Sequence, residues 1–218
     1  MKFMPRKTML ILGGALVALC AAPFSAHAAT SMRADINAGH SSHAITMAST
    51  EAATPAEKMI ADLGEQAITA LKRTTDKEER QKEFNRLLNK HFDMDTIARF
   101  ALGRYWNQAT AQEQEEYTAL FKTMVIKVYS KRFEEYTGQD FTVTGSKPAG
   151  RDDVVVNSLI VPQGSGPRVT VDWRVRNGKI IDVMVEGVSM SVTQRSEFAS
   201  VIQRGGGKVS ALIDHLKK

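Results

Sequence analysis

The stretch from Glu186 to Gly207, EGVSMSVTQRSEFASVIQRGGG, combines serines, a threonine, an Arg/Glu pair and three consecutive glycines directly after a strand-like run. A serine nucleophile in a G-x-S-x-G elbow needs a closing glycine, which the segment GVSMS from Gly187 to Ser191 lacks. A glycine loop that binds phosphate precedes a helix and usually carries a lysine, whereas Gly205 to Gly207 follow a helical pattern. We therefore predict that the hydroxyl groups cap a helix and that the glycines end it.

A second group, Asp93 and Asp95 with Arg99 and Arg104, could place a carboxylate beside positive charge. One interpretation is a catalytic base, as in small cone-shaped α+β isomerases whose pocket holds one buried carboxylate. The other is structural: Asp93 caps a helix and Asp95 lies in its first turn, where the helix dipole stabilises negative charge. The two differ in geometry, because a base points into a cavity whereas a cap points at a helix N-terminus.

Metal chemistry is disfavoured by the number and spacing of the histidines. The predicted folded region has only His91 and His215, in no H-x-x-x-H or H-x-x-E pattern, and a metal site needs convergent ligands. His40 and His43 lie in an Ala- and Ser-rich segment without matching ligands. We expect no metal, no cofactor and no catalytic residues.

Residues 1–28 are typical of a cleaved signal peptide. Lys2, Arg6 and Lys7 form a basic region, Met9 to Cys20 an apolar region, and Ala26 to Ala28 an A-x-A cleavage site. The apolar run is about a dozen residues, short of the roughly 20 that span a bilayer. We therefore expect export to the periplasm and a soluble mature protein without cysteine.

Removal of the signal peptide lowers the net charge of the protein. It takes three basic side chains from the 29 Lys and Arg and none from the 24 Asp and Glu, so the net charge falls from +5 to +2. Nucleic-acid binding requires a concentrated basic footprint, and none is visible. We expect no nucleic-acid partner and a monomeric protein.

Helical patterns dominate the first half of the mature chain. Residues 29–53 lack an apolar period and are predicted to be a flexible tether. Thr54-Pro55-Ala56-Glu57 is a capping box that opens a helix to about Arg73, and further helices follow from about Asp76 and Asp93. A second capping box at Thr110 opens the strongest helical period, which runs to about Tyr136.

After Gly138 the apolar period changes to two. Four segments read as strands: DFTVTGSK, DDVVVNSLIVP, PRVTVDWRVRNG and KIIDVMVEGV. Asn177-Gly178 predicts a hairpin between the last two, and Ile181, Val183 and Val185 are expected to share one face. Two terminal helices finish the chain. The predicted class is α+β: N-terminal helices, an antiparallel sheet of four or five strands, and C-terminal helices packed on its apolar face, with a single domain over residues 54–218.

Two strings identify a family. HFDMDTIARFALGRYW, from His91 to Trp106, and DVMVEGVSMSVTQRSEFASVIQRGGGKVSALIDHL, from Asp182 to Leu216, resemble the MlaC or toluene-tolerance family of periplasmic phospholipid-binding proteins. The similarity covers essentially Pro55 to Lys218, and the strings are also close to HpnM, the hopanoid-associated branch of the family.

The resemblance implies a non-enzymatic carrier that holds acyl tails in a cavity between helices and sheet, with phospholipid as cargo. Members shuttle lipid between an outer-membrane lipoprotein (MlaA-like) complex and an inner-membrane MCE protein (MlaD-like) of an ABC transporter, which maintains outer-membrane lipid asymmetry. A hopanoid or other polycyclic lipid as cargo, and a small cone-fold enzyme, remain as alternatives.

Candidate tail contacts follow from facing and family position. The apolar side chains that we expect at the lipid are Phe100, Tyr105, Trp106, Phe121, Met124, Val125, Val128, Tyr129, Val171, Trp173, Val175, Val183 and Val185. Arg168, Arg174 and Arg176 are candidates for docking to acidic partner surfaces, with a solvated sheet face as the equally good interpretation. Apolar pattern alone does not separate a ligand wall from a packed core, because both use the same side chains.

Overall fold

The computed structural model describes residues 53–134, 136 and 138–218. The predicted signal peptide at 1–28 and tether at 29–53, with His40 and His43, lie outside the described residues apart from Ala53. Within the described residues the α-helices are α1 (Pro55–Arg73), α2 (Lys77–His91), α3 (Met94–Leu102), α4 (Ala111–Glu134), α5 (Met190–Arg204) and α6 (Val209–Leu216). A 3-10 helix, Gly103–Gln108, joins α3 to α4. No helix in these ranges is long and apolar enough to cross a membrane.

The helix starts are the local features that the sequence predicts best. Thr54 Oγ1 accepts from the Glu57 amide at 3.2 Å, and Glu57 Oε2 accepts from the Thr54 amide at 2.8 Å, so the first capping box is confirmed. The second forms in the same way, with Thr110 Oγ1 accepting from the Glu113 amide at 3.2 Å. Asp76 caps α2 through the Glu79 amide. Each cap satisfies an amide that has no partner inside its own helix.

The sheet is an antiparallel meander in the order β1-β2-β3-β4-β5. Its strands are β1 (Asp140–Pro148), β2 (Asp153–Val161), β3 (Val169–Arg176), β4 (Lys179–Val185) and β5 (Val188–Ser189). Asn177 and Gly178 have φ of 49° and 70°, as the predicted hairpin turn requires. Glu186 and Gly187 repeat this conformation, with φ of 50° and 77°, and start the short fifth strand. The α+β class is confirmed.

The facing of β4 differs from the prediction at its start. Val175 pairs with Ile180 and Arg174 pairs with Asp182, so Ile181 is an extra residue in the ladder. The bulge shifts the alternation by one position, and Ile180 instead of Ile181 is the fully buried side chain. A strict period of two cannot reveal a single inserted residue.

Two apolar clusters form the core. The first joins α3, α4, α5 and α6, where Tyr117 and Phe121 meet the ring of Phe198 at near-perpendicular angles of 84° and 80°. The second joins α1 to the sheet through Ile60, Val156, Val175 and Ile180. The helix that covers the apolar face of the sheet is therefore α1, whereas α5 and α6 pack mainly on α3 and α4.

The direction of α5 follows from its first turn. Ser189 Oγ donates to Asp182 Oδ2 at 2.5 Å and accepts from the Val192 amide at 3.1 Å, and the Ser191 amide also donates to Asp182. This network fixes the start of α5 to β4. The helix then runs past the sheet onto α3, which explains the difference from the predicted packing.

We expect Ser189→Ala to lower the free energy of unfolding by about 1–2 kcal/mol, because the variant loses the cap and one bond to Asp182. Urea denaturation measures this difference. The control is Ser196→Ala, whose hydroxyl donates back to the Val192 carbonyl on the exposed side of α5. Such a bond adds little to helix stability, so a change below about 0.5 kcal/mol is expected. Equal losses in the two variants would contradict the capping role.

Candidate functional site

A cavity of about 580 Å³ lies between the N-terminal helices and the sheet. Its walls come from α1, α2, the end of α4, the segment before β1, and the inner face of the sheet. The lining residues are Ile60, Leu63, Gly64, Ala67, Ile68, Leu71, Phe84, Leu87, Leu88, Phe92, Tyr129, Tyr136, Gln139, Asp140, Phe141, Ile160 and Trp173. The volume is within the range of known ligand pockets, about 300–1,000 Å³.

The helical walls are continuous stripes. In α1, the lining positions run from Ile60 to Leu71 at spacings of three and four residues, which places them on one side of the helix. In α2, Phe84, Leu87 and Leu88 repeat this spacing. Each stripe turns aliphatic and aromatic surface towards the cavity, so the interior offers an elongated apolar solute a continuous contact surface.

The sheet side is aromatic. Phe141 and Trp173 lie with ring centroids 6.2 Å apart at 80°, a favourable edge-to-face arrangement. The indole Nε1 of Trp173 donates to Ser158 Oγ at 2.9 Å, and Ser158 Oγ donates to the Val171 carbonyl at 2.7 Å. Because its polar atom is satisfied within the sheet, Trp173 brings apolar ring surface to the cavity.

The polar residues of the cavity lining come from one segment of the chain. Tyr136, Gln139 and Asp140 come from the segment that joins α4 to β1, and the Tyr136 hydroxyl donates to the Gln139 carbonyl at 3.2 Å. Burial raises the pKa of Tyr129, so its phenol stays neutral. The lining combines a large apolar surface with a few hydrogen-bonding groups from one segment, which suits an amphiphile.

The predicted tail contacts are distributed over four environments. Of the thirteen, Tyr129 and Trp173 line the cavity. Five belong to the helical core or pack against it: Tyr105, Trp106, Phe121, Met124 and Val125. Val171, Val175, Val183 and Val185 lie on the inner side of the sheet. Phe100 and Val128 are 43% and 50% exposed. For all thirteen, contact with lipid stays a prediction.

Sequence reasoning missed the α1 wall. The available signal was Gly64, a residue disfavoured in helix interiors, together with Ala67 three positions on, in the same stripe as Leu63 and Leu71. Small residues on the apolar side of a helix allow another group to approach closely or leave space beside it. The sequence instead predicts tail contacts among the large side chains of α4, because these dominate the hydrophobic pattern. Most of them fill the helical core.

The carboxylates considered as catalytic bases have structural partners. Asp93 caps α3, with Oδ1 accepting from the Thr96 amide at 3.0 Å and Oδ2 from the Thr96 hydroxyl at 2.7 Å. The Thr96 amide bond is the main reason that the pKa of Asp93 is lowered. Asp95 is exposed and pairs with Lys122 at 2.8 Å. Neither carboxylate lines the cavity, so the geometry expected of a base is not met.

The arginines of this region stack on aromatic rings. The guanidinium of Arg99 lies 5.8 Å from the ring centroid of Trp106, and that of Arg104 lies 4.9 Å from the centroid of Tyr105. These distances are typical of cation–π contacts. The charged constellation predicted from the sequence therefore separates into a cap, an ion pair and two ring contacts.

His91 is buried, and its Nε2 has no hydrogen-bond partner. Burial, and then the positive charges of Lys90 and Lys179, lower the pKa of His91. Its imidazole is therefore neutral at physiological pH. Among the described residues, no group of three or more His, Cys, Asp or Glu side chains could hold a metal ion.

The three candidate docking arginines differ in whether a carboxylate of this protein pairs with them. Asp153 is buried, and its carboxylate accepts from Arg174 Nε at 2.6 Å and from Arg176 Nε at 2.5 Å. Arg168 is exposed and has no carboxylate partner in the described part of the chain. The register pairs Val169 with Ile160 and Asp140 with Val161, so Arg168 lies at the end of the sheet where β1 begins.

Comparisons with known proteins give consistent results. A family model described as "MlaC protein" matches residues 57–218. The toluene tolerance protein ttg2D of Pseudomonas putida is 27% identical over 139 residues, which are 60% of this chain and 62% of that relative. The chain thus spans less than two thirds of the length of this curated relative. The structure of a phospholipid-binding protein from Ralstonia solanacearum, in complex with a phospholipid, matches with a TM-score of 0.67 at 24% identity, over 75% of this chain and 96% of that one. This last likeness establishes the fold.

We expect Asp153→Asn to lower the thermal unfolding midpoint at pH 7, because Arg174 and Arg176 lose their shared carboxylate. The bond from Arg176, followed by that from Arg174, holds the pKa of Asp153 below its ordinary 3.8. A lowered pKa in the folded state means that the stabilisation is present above pH 3.8 and is lost as the pH falls through the folded-state value.

Thermal unfolding of the wild type and of Asp153→Asn, measured from pH 7 down to below pH 3.8, tests this expectation. The difference between them should be largest near neutral pH and should shrink in acid. The control is Asp152→Asn, which changes the exposed neighbouring carboxylate and should leave the midpoint close to that of the wild type. A difference that does not depend on pH would contradict the ion-pair explanation.

Proposed function

The chain belongs to the MlaC family, and from this premise we propose that it is a periplasmic, non-enzymatic carrier of phospholipid. The observation that carries the proposal is the apolar cavity of about 580 Å³ between α1, α2 and the sheet, with a few polar residues in its lining. The fold shared with the Ralstonia phospholipid-binding protein supports it.

The energetics of the cargo require an enclosed site. Burial is worth about 0.8 kcal/mol per methylene, so a lipid with roughly 30 methylenes would face a cost on the order of 20 kcal/mol to enter water uncovered. The stripes of α1 and α2 and the rings of Phe141 and Trp173 replace water along an acyl chain. Tyr136 and Gln139 are half-buried and the neighbouring Asp140 is exposed, so a head group beside them can stay hydrated.

We further propose that the carrier exchanges lipid with an outer-membrane lipoprotein complex of the MlaA type and with the MCE protein of an inner-membrane ABC transporter of the MlaD type. The same cost of exposing acyl chains supports a direct hand-off, because each transfer must pass the chain from one apolar site to another. Such an exchange would maintain outer-membrane lipid asymmetry, and it requires a periplasmic location, which the N-terminal sequence predicts.

Docking to an acidic partner surface is assigned mainly to Arg168 among the three candidate arginines. Asp153 partly neutralises Arg174 and Arg176, and both belong to the far end of β3 from Arg168. Arg168 has no carboxylate partner among the described residues, and it lies at the end of the sheet where β1 begins. Docking there would bring the partner close to the segment before β1 that supplies the polar residues of the cavity lining.

Native mass spectrometry of the protein purified from periplasm without detergent should show bound phospholipid. In Ala67→Trp a large ring projects from α1 into the cavity, and the bound fraction should fall severalfold. Ala61→Trp places the same ring on the exposed side of α1 and serves as the control. A ligand-free wild type would contradict the carrier proposal. A hopanoid in the lipid extract would replace phospholipid as the cargo.

Arg168→Glu should weaken binding to the periplasmic domain of the partner MCE protein by about tenfold at low salt, with less effect at high salt, because surface charge interactions are screened. Biolayer interferometry measures the Kd. Arg151→Glu, which reverses a charge at the opposite end of the sheet, is the matched control. Lipid content should be unchanged in both variants, and equal loss of binding would contradict a docking role specific to Arg168.

A further inference from the structure

A histidine interrupts the apolar side of α2 in its last turn. Phe84, Leu87 and Leu88 line the cavity, and His91 continues their spacing by one turn. The side chain of His91 is buried, and its Nε2 has no hydrogen-bond partner among the described residues. A buried polar atom without a partner costs free energy that an apolar side chain at the same position would not cost. Packing alone therefore does not explain a histidine here.

His91 lies where three elements meet. Lys179 Nζ donates to the Lys90 carbonyl at 2.6 Å, which ties the start of β4 to the end of α2. Lys90 Nζ donates to Gln66 Oε1 at 3.3 Å, which reaches across to α1. Phe92, the next residue along the chain, lines the cavity and packs against both apolar clusters. The histidine is therefore at the junction of the elements that form the cavity walls.

The charges around His91 are mostly positive. Lys90 and Arg86 act on the imidazole from α2, and Lys179 acts on it from β4. Asp62 of α1 supplies an opposing negative charge. A proton on the ring would therefore add a buried positive charge beside three others, with one carboxylate to offset them.

The direction of the pH effect follows from this environment. Burial, followed by the charges of Lys90 and Lys179, lowers the pKa of His91 from its ordinary 6.5 in the packed arrangement. An arrangement in which water reaches the ring restores the ordinary pKa, so it binds a proton at a pH where the packed arrangement does not. The packed arrangement is thus favoured above pH 6.5, and its advantage is progressively lost as the pH falls below this value.

We propose that His91 is a pH-sensitive element of the cavity wall: its protonation loosens the end of α2 from α1 and β4, and the protein then releases its lipid faster. The proposal rests on the proposed function of lipid carriage and adds a regulation of the same site. Histidine is the side chain whose ordinary pKa lies between about pH 5 and 8. Lipid is retained near neutral pH and released in mild acid.

Lipid release across a pH series tests the proposal. The mature protein is loaded with radiolabelled palmitoyl-oleoyl-phosphatidylglycerol, whose head group does not titrate in this range, and is mixed with phosphatidylcholine vesicles. The label that stays with the protein gives the release rate at each step from about pH 8 to about pH 5. We expect this rate to rise about fivefold or more, since each pKa unit between the two arrangements corresponds to a factor of about ten.

His91→Phe keeps a ring in the apolar stripe and removes the titrating group. Its release rate should change by less than about twofold over the same pH range, because no proton can bind at this position. The control is His215→Phe in α6, a helix that supplies none of the lining residues named above. This control should keep the wild-type profile. His40 and His43 are present in every variant, so they do not contribute to the differences.

A charge reversal beside the ring tests the electrostatic cause separately. Lys90→Glu replaces a repelling charge by an attracting one, so the acceleration should begin at a pH higher by about half a unit or more. The control is Lys82→Glu, the same reversal at an exposed position of α2 that is not among the charges acting on His91. Both variants have the same net charge, so attraction to the vesicles does not distinguish them. This pair tests the proposal even where His91→Phe does not fold.

Each outcome bears on a particular proposal. A wild type that takes up no phosphatidylglycerol contradicts lipid carriage and the pH inference with it. A loaded wild type with the same release rate at every pH overturns the pH inference and leaves the carrier proposal standing. Loss of the helical circular-dichroism signal over the same range has the same consequence, because it indicates unfolding. A His91→Phe variant with the wild-type profile, or equal profiles of Lys90→Glu and Lys82→Glu, overturns the role of His91.

Discussion

The backbone bridge between the α2–α3 junction and β4 joins the two cores of the protein. The Asp93 amide donates to the Ile180 carbonyl at 2.9 Å, and Lys179 Nζ donates to the Lys90 carbonyl at 2.6 Å. Between these bonds, Phe92 packs against both the helical cluster and the α1–sheet cluster. This short segment therefore holds the end of α2 and the start of α3 against β4. Phe92 also lines the cavity, so the junction forms part of its wall.

The division into two cores reconciles a stable fold with an unfilled interior. A cavity forfeits contacts that a packed core would make, at a cost that rises with its volume. The helical cluster carries its own dense packing around Tyr117, whose hydroxyl donates to the Ala98 carbonyl at 2.9 Å. Burial raises the pKa of Tyr117, in keeping with a group removed from water. Most residues of the cavity lining lie outside this cluster, so its packing does not depend on filling the cavity.

How much of the structure the sequence predicts depends on the range of the interaction that decides each feature. The capping boxes at Thr54 and Thr110 and the Asn177-Gly178 turn depend on residues within one turn of each other, and their positions were predicted correctly. The bulge at Ile181 depends on the partner strand, and the Glu186-Gly187 turn uses a residue that rarely adopts positive φ, so neither was foreseen.

The cavity is a still longer-range property. Whether an apolar side chain meets another side chain or empty space depends on residues far along the chain, as for Gly64, which meets Phe141 about 80 positions away. The pattern of apolar residues is the same in both cases. This is why the large side chains of α4 were predicted as tail contacts while the smaller ones of α1, which form most of one wall, were not.

The positions of the tryptophans have a practical consequence for spectroscopy. Of the two in the chain, Trp106 packs against the helical core, whereas Trp173 borders the cavity with its Nε1 bonded to Ser158. Because that bond is internal to the sheet, filling the cavity changes the surroundings of the Trp173 ring without changing its hydrogen bond. The fluorescence of Trp173 in a protein whose Trp106 is replaced by phenylalanine is thus an intrinsic optical signal for loading and unloading, with no need for a labelled ligand.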